Sequence, residues 1–84
     1  MGEYANIKRD DMNKFLKWLI KKDPSISVEA GGKHQIKLKY SFWNECFPIP
    51  FKHSEINRHI VKDLMKKLVQ SKVCTKIEFD QNIK

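Results

Sequence analysis

Two adjacent glycines, Gly31-Gly32, stand directly before Lys33-His34-Gln35-Ile36-Lys37-Leu38-Lys39-Tyr40, and no other stretch restricts the fold as tightly. Glycine enters positive φ at no steric cost, so the pair suits a tight reversal between antiparallel strands. Beyond the reversal, side chains of a strand alternate across the sheet. His34, Ile36, Leu38 and Tyr40 then share one face, and Lys33, Gln35, Lys37 and Lys39 share the other. One face is apolar and the other basic, so the strand must cover a core on one side only.

The flanking segments supply that core. Ile26, Val28 and Ala30 alternate with Ser25, Ser27 and Glu29, which predicts a first strand running into the glycines. Phe47-Pro48-Ile49-Pro50-Phe51 predicts a third strand. Residues two apart point their N–H groups to the same lateral side, so Pro48 and Pro50 remove donors along one edge while 47, 49 and 51 pair on the other. Such a strand belongs at the border of a sheet, where it resists further pairing.

Before the strands, Met12, Phe15, Leu16, Leu19 and Ile20 recur at helical spacing, with Asp10 or Asp11 as cap and Asp23-Pro24 as stop. Trp18 borders that stripe among Lys14, Lys17 and Lys21, placed either to roof the core or to stack on a base. After the strands, Ser54 is the expected cap of a helix whose stripe is Ile56, Ile60, Val61, Leu64, Met65, Leu68 and Val69. Val73, Thr75, Ile77 and Phe79 alternate like a strand, yet Thr75-x-x-Glu78 is a capping box, and the helical alternative is preferred. Residues 1–8 show no periodicity and read as a loose lead-in.

Eighty-four residues make a single domain, 1–84. A chain of this size buries only about 60% of its unfolded surface, so the core is small. The expected architecture is a two-layer α+β domain of order α-β-β-β-α, a three-stranded antiparallel sheet with both helices on one face. Lys33, Lys37 and Lys39 are left outside.

The net charge is +7. Lys and Arg outnumber Asp and Glu nine to five over residues 1–40 and eight to five over residues 41–84, so the excess is no tail but a property of the whole surface. It favours nucleic acid, an anionic membrane or an acidic protein as partner, against the plain alternative of a solvated lysine-rich surface. No segment approaches the roughly 18 apolar residues of a membrane span, and the start has no export signal pattern, so a cytoplasmic protein is expected. Cys46 and Cys74 form no disulfide framework. Cys46, His53, His59 and Cys74 match no recurring zinc spacing, and no metal or other cofactor is expected. No Ser-His-Asp, phosphate-loop or paired-carboxylate pattern is present.

Three stretches together resemble the HicA family of mRNA interferase toxins: Gly32-Lys33-His34, Phe47-Pro48-Ile49-Pro50-Phe51, and the run from Ser54 to Leu68. The resemblance covers roughly residues 8–80. It implies the double-stranded RNA-binding-domain fold, cleavage of mRNA by a histidine on the second strand, and silencing by a HicB-like antitoxin. His34 occupies the catalytic position of that pattern, and Lys33 stands where the family usually has serine. His53 falls one residue from a histidine frequent in the family.

The residues support the same chemistry on their own terms. Attack of RNA's own 2'-hydroxyl on the adjacent phosphorus needs a proton acceptor, a proton donor and positive charge. Histidine titrates near neutrality and can take either proton role. Alternate strand positions lie about 6.6 Å apart, which suits Lys33, Lys37 and Lys39, with the backbone of Gly32, to successive phosphates. The alternatives are a histidine that fills the rim of the core, a non-catalytic RNA-binding module of the same fold, and a basic protein-interaction domain.

Overall fold

The computed structural model describes residues 4–31, 35–51 and 54–83. Gly32, Lys33, His34 and His53 lie outside the described residues. The elements in chain order are β1 (Ile7–Lys8), α1 (Arg9–Lys22), β2 (Ile26–Gly31), β3 (Gln35–Tyr40), β4 (Phe47–Pro50), β5 (Glu55–Ile56), α2 (Arg58–Gln70) and α3 (Lys76–Asn82).

Strands β2, β3 and β4 form one antiparallel sheet with β3 in the centre. Val28 stands opposite Leu38 and Ala30 opposite Ile36, while Ile36 faces Ile49 and Leu38 faces Phe47. Directly opposed residues share a face, so Ile26, Leu38 and Ile49, all buried, line one side of all three strands. They join Met12, Phe15, Leu16 and Leu19 of α1 and Val61, Leu64, Met65 and Leu68 of α2 in a single core. This is the expected α+β arrangement of a three-stranded sheet covered on one side by helices. Pro48 and Pro50 are exposed on the border strand, opposite Lys37 and Gln35.

The ends of the elements depart from expectation in four places. Residues 4–8 are not a loose lead-in: Ile7 pairs with Ile56 and Lys8 with Glu55 in a second, two-stranded sheet. The Tyr4 ring meets Phe79 edge to face, with centroids 5.6 Å apart. Because Lys8 is extended, α1 starts at Arg9 without a side-chain cap, and Asp10 and Asp11 lie inside its first turn, where carboxylates favour the positive end of the helix. Ser54 does not cap α2 either. Its carbonyl accepts the Arg9 N–H at 2.9 Å, the chain continues through β5, and Asn57 caps the helix by accepting from the His59 N–H at 2.7 Å. Ile20, counted with the apolar stripe of α1, is 39% exposed, at the edge of a stripe whose neighbour Leu19 is fully buried.

The alternating segment after α2 is helical, as the capping box demands. Thr75 Oγ1 accepts from the Glu78 N–H at 3.1 Å, and Glu78 Oε1 accepts from the Thr75 N–H at 2.9 Å. Phe79 thereby reaches the core and packs 4.9 Å from Phe15. The link from α2 is a Schellman turn: the Val73 N–H donates to Leu68 O and the Lys72 N–H to Val69 O. Lys72 takes the left-handed position, with φ of 61°, that glycine most often fills. Lys72→Gly should therefore stabilise the fold by up to about 1 kcal/mol, seen as a higher midpoint in urea. A lower midpoint would mean that the lysine stem contributes more than its backbone costs.

Acid sensitivity follows from the same corner of the molecule. Tyr4 Oη donates to Asp80 Oδ1 at 2.7 Å, and Lys76 Nζ pairs with Asp80 Oδ2 at 3.0 Å. These bonds, the Tyr4 hydroxyl first, hold the Asp80 carboxyl below its ordinary range. Glu78 is lowered likewise by the Thr75 backbone N–H and by Lys22. A carboxylate lowered in the folded state adds stability above its unfolded value and loses it as pH falls through the folded value. Tyr4→Phe should lower the thermal midpoint at neutral pH and lower it progressively less as acid protonates Asp80 in the folded state. An equal loss at neutral and acid pH would assign the effect to packing alone.

Candidate functional site

The candidate site is the end of the β2–β3 hairpin and the sheet face that runs from it. Gly31 stands opposite Gln35, so the strand ends on either side of residues 32–34 are paired with each other. The predicted catalytic His34, together with Lys33 and Gly32, falls among those undescribed residues. Of the predicted site, Lys37 and Lys39 are described, and both occupy the outer face of the sheet.

That face is less uniformly basic than its sequence suggests. Glu29 lies directly opposite Lys37, and its Oε1 is 3.0 Å from Lys39 Nζ. Both members of the ion pair are about half exposed, so the attachment is weak and a competing anion can displace it. Lys37 is half-buried between the neighbouring strands, flanked by Glu29 and Pro48.

The fold brings one further cation to this end of the sheet. Arg9, the first residue of α1, donates through Nη1 to the carbonyl of Phe51 at 3.1 Å. Phe51 follows Pro50, and Pro50 is the partner of Gln35. No spacing in the sequence relates Arg9 to the glycine motif; the contact arises because β1 and β5 lay the start of α1 beside the exit of β4. A cleft of about 200 Å³ there is lined by Lys8, Arg9, Asp10, Ser54 and Glu55. Two cations and two carboxylates leave it without a formal preference for anions.

At the other end of β3, Tyr40 is followed by an aromatic turn, Phe42-Trp43, that no spacing in the sequence singles out. The Tyr40 ring meets Phe42 at 5.2 Å and Trp43 at 5.6 Å, both edge to face. Partial burial raises the Tyr40 hydroxyl above its ordinary value, and the neighbouring Asp23 carboxylate adds to the shift. Trp18, by contrast, roofs the core, with Lys22 Nζ 5.8 Å from its ring centre.

Cys74 is 5% exposed, and burial pushes its thiol up to about 11, with Glu78 adding to the effect and Lys22 opposing it. A thiol so raised carries almost no thiolate at neutral pH, and thiolate is the reactive form. Among the described residues, no three His, Cys, Asp or Glu side chains come together as a metal site. No described helix is long and apolar enough to cross a membrane.

No protein-family model matches the chain, and no curated protein or solved structure matches it either.

Cys74 should resist a water-soluble disulfide reagent at neutral pH in the folded protein and react at once in denaturant, while half-buried Cys46 reacts earlier. Thiol titration of Cys46→Ser isolates the Cys74 signal. Fast reaction of that variant under native conditions would show Cys74 to be accessible.

Proposed function

We propose that this chain is a HicA-like toxin, a metal-independent endoribonuclease that cleaves mRNA in the cytoplasm and is silenced by a HicB-like antitoxin. The observation that carries this reading is the element order. A helix, three antiparallel strands and a helix, with the helices on one sheet face, is the arrangement that the Gly32-Lys33-His34, Phe47-Pro48-Ile49-Pro50-Phe51 and Ser54–Leu68 resemblance implies. Within that order the histidine motif falls between two paired strand ends, Gly31 and Gln35, with a lysine-bearing face adjoining.

In this mechanism a ribose 2'-hydroxyl gives its proton to the imidazole of His34 and attacks the adjacent phosphorus. The bond from phosphorus to the 5'-oxygen breaks, and that oxygen takes up a proton from solvent water, leaving a cyclic phosphate. Lys33, Lys37 and Lys39 hold the strand by charge, with the Gly32 backbone close to it. The antitoxin presents an acidic surface, since a partner of net charge +7 attracts one.

A second reading, an RNA-binding module without catalysis, is favoured by the ion-paired Lys39 and the aromatic turn, neither of which requires proton transfer. Cleavage of labelled RNA in the presence of EDTA separates the two. His34→Ala should reduce the rate by about 10²- to 10⁴-fold and leave the thermal midpoint nearly unchanged. A variant that cuts as fast as the parent removes His34 from the mechanism, and a parent protein that binds RNA without cutting it leaves the second reading standing.

A further inference from the structure

Phe42 breaks the local rules of its turn. The Trp43 N–H donates to the Tyr40 carbonyl at 2.9 Å, so Ser41 and Phe42 are the two central residues of a tight β-turn. Such positions favour Gly, Pro, Asn, Asp or Ser. Phe42 is instead a large aromatic side chain, and it is 79% exposed. Among the described residues, its one ring contact besides the turn itself is with Tyr40, edge to face.

The surroundings are built and charged. Trp43 Nε1 donates to Ser71 Oγ at 2.6 Å, which ties the turn to the end of α2. Lys67 Nζ lies 5.2 Å from the Trp43 ring centre. The Ser41 N–H donates to Ser25 O at 3.2 Å, which ties the same turn to the start of β2. Beside it a cleft of about 230 Å³ is lined in part by Lys39, Tyr40, Trp43 and Glu45. An open aromatic ring on a turn tied down at both ends, next in sequence to a Trp43 that carries Lys67 and to a cleft that Lys39 lines, is a combination suited to stacking an unpaired base while the backbone follows positive charge. An apolar protein partner would call for a wider uncharged patch than one exposed ring.

We infer that Phe42 is a stacking platform for a base of single-stranded RNA, with Lys39 and Lys67 holding the adjacent phosphates. The inference deepens the proposed function, from which it takes the identity of the polymer. Strand β3 connects the two sites. Its six residues rise about 3.3 Å each, so the platform lies about 20 Å from the hairpin end. One extended strand passing over Lys37 and Lys39 spans that distance, which makes the enzyme select unpaired over duplex RNA.

The test uses the full chain carrying His34→Ala, so that RNA stays intact, and a fluorescein-labelled single-stranded oligoribonucleotide of about ten nucleotides. Adding Phe42→Ala should weaken binding by about 5- to 150-fold, with the thermal midpoint unchanged because the ring is exposed. Phe42→Trp should restore the affinity. The salt dependence should stay the same in Phe42→Ala and become shallower in a Lys37→Ala, Lys39→Ala double variant. Unchanged affinity in Phe42→Ala overturns the inference, as does an equal loss for a duplex of the same sequence. So does an unchanged RNA affinity with loss of self-association in sedimentation, which would make the ring a protein contact. Weakened binding in Phe42→Ala with no cleavage by the parent protein leaves the platform standing and removes only the nuclease reading.

Discussion

Burial of one face of a three-stranded sheet beneath two helices is the interaction on which the rest of this molecule depends. Leu38 sits at its centre, fully buried, on the middle strand and between Val28 and Phe47. A side chain of that kind contributes about 1.5–3 kcal/mol by leaving water, and its neighbours Ile26 and Ile49 contribute in the same way. Because side chains alternate with a period of two, seating Leu38 inward forces Lys37 and Lys39 outward. The core and the basic face are thus one decision about register.

The small β1–β5 sheet has a different role. Two paired residues on each strand bury little by themselves, but they hold the start of α1 against the segment that leads into α2. That contact draws Arg9 to the carbonyl of Phe51, beside the strand end that precedes the helix. It also sends the chain past Ser54 before α2 begins at Arg58, capped by Asn57. Chain segments about fifty residues apart in sequence therefore set where both helices start.

Charge on the outer face is moderated rather than maximal. Glu29 stands between the two lysines of β3 and pairs with Lys39 in solvent, where such a bond is worth less than about 1 kcal/mol. The face is therefore not committed to its internal partner. An anion approaching this face needs only to replace a carboxylate that water already screens. The aromatic turn after Tyr40 is held from two sides, by Ser25 and by Ser71, so its exposed ring is presented without further ordering.

Signals of short range were legible in the sequence: strand parity around the glycine pair, the missing donors of Pro48 and Pro50, and the reciprocal capping of Thr75 and Glu78. Each depends on residues within a turn or a strand of one another, where stereochemistry leaves few options. The α+β class and the outward placement of Lys37 and Lys39 follow from them. Tertiary structure alone decided the pairing of Ile7 with Ile56, the choice of Asn57 over Ser54 as cap, the approach of Arg9 to Phe51, and the bond between Lys39 and Glu29. It also decided that Phe42 stands open while Trp43 is tied down. These are contacts between segments whose spacing has no period to read, and they exist only once the core has set the register that brings them within reach.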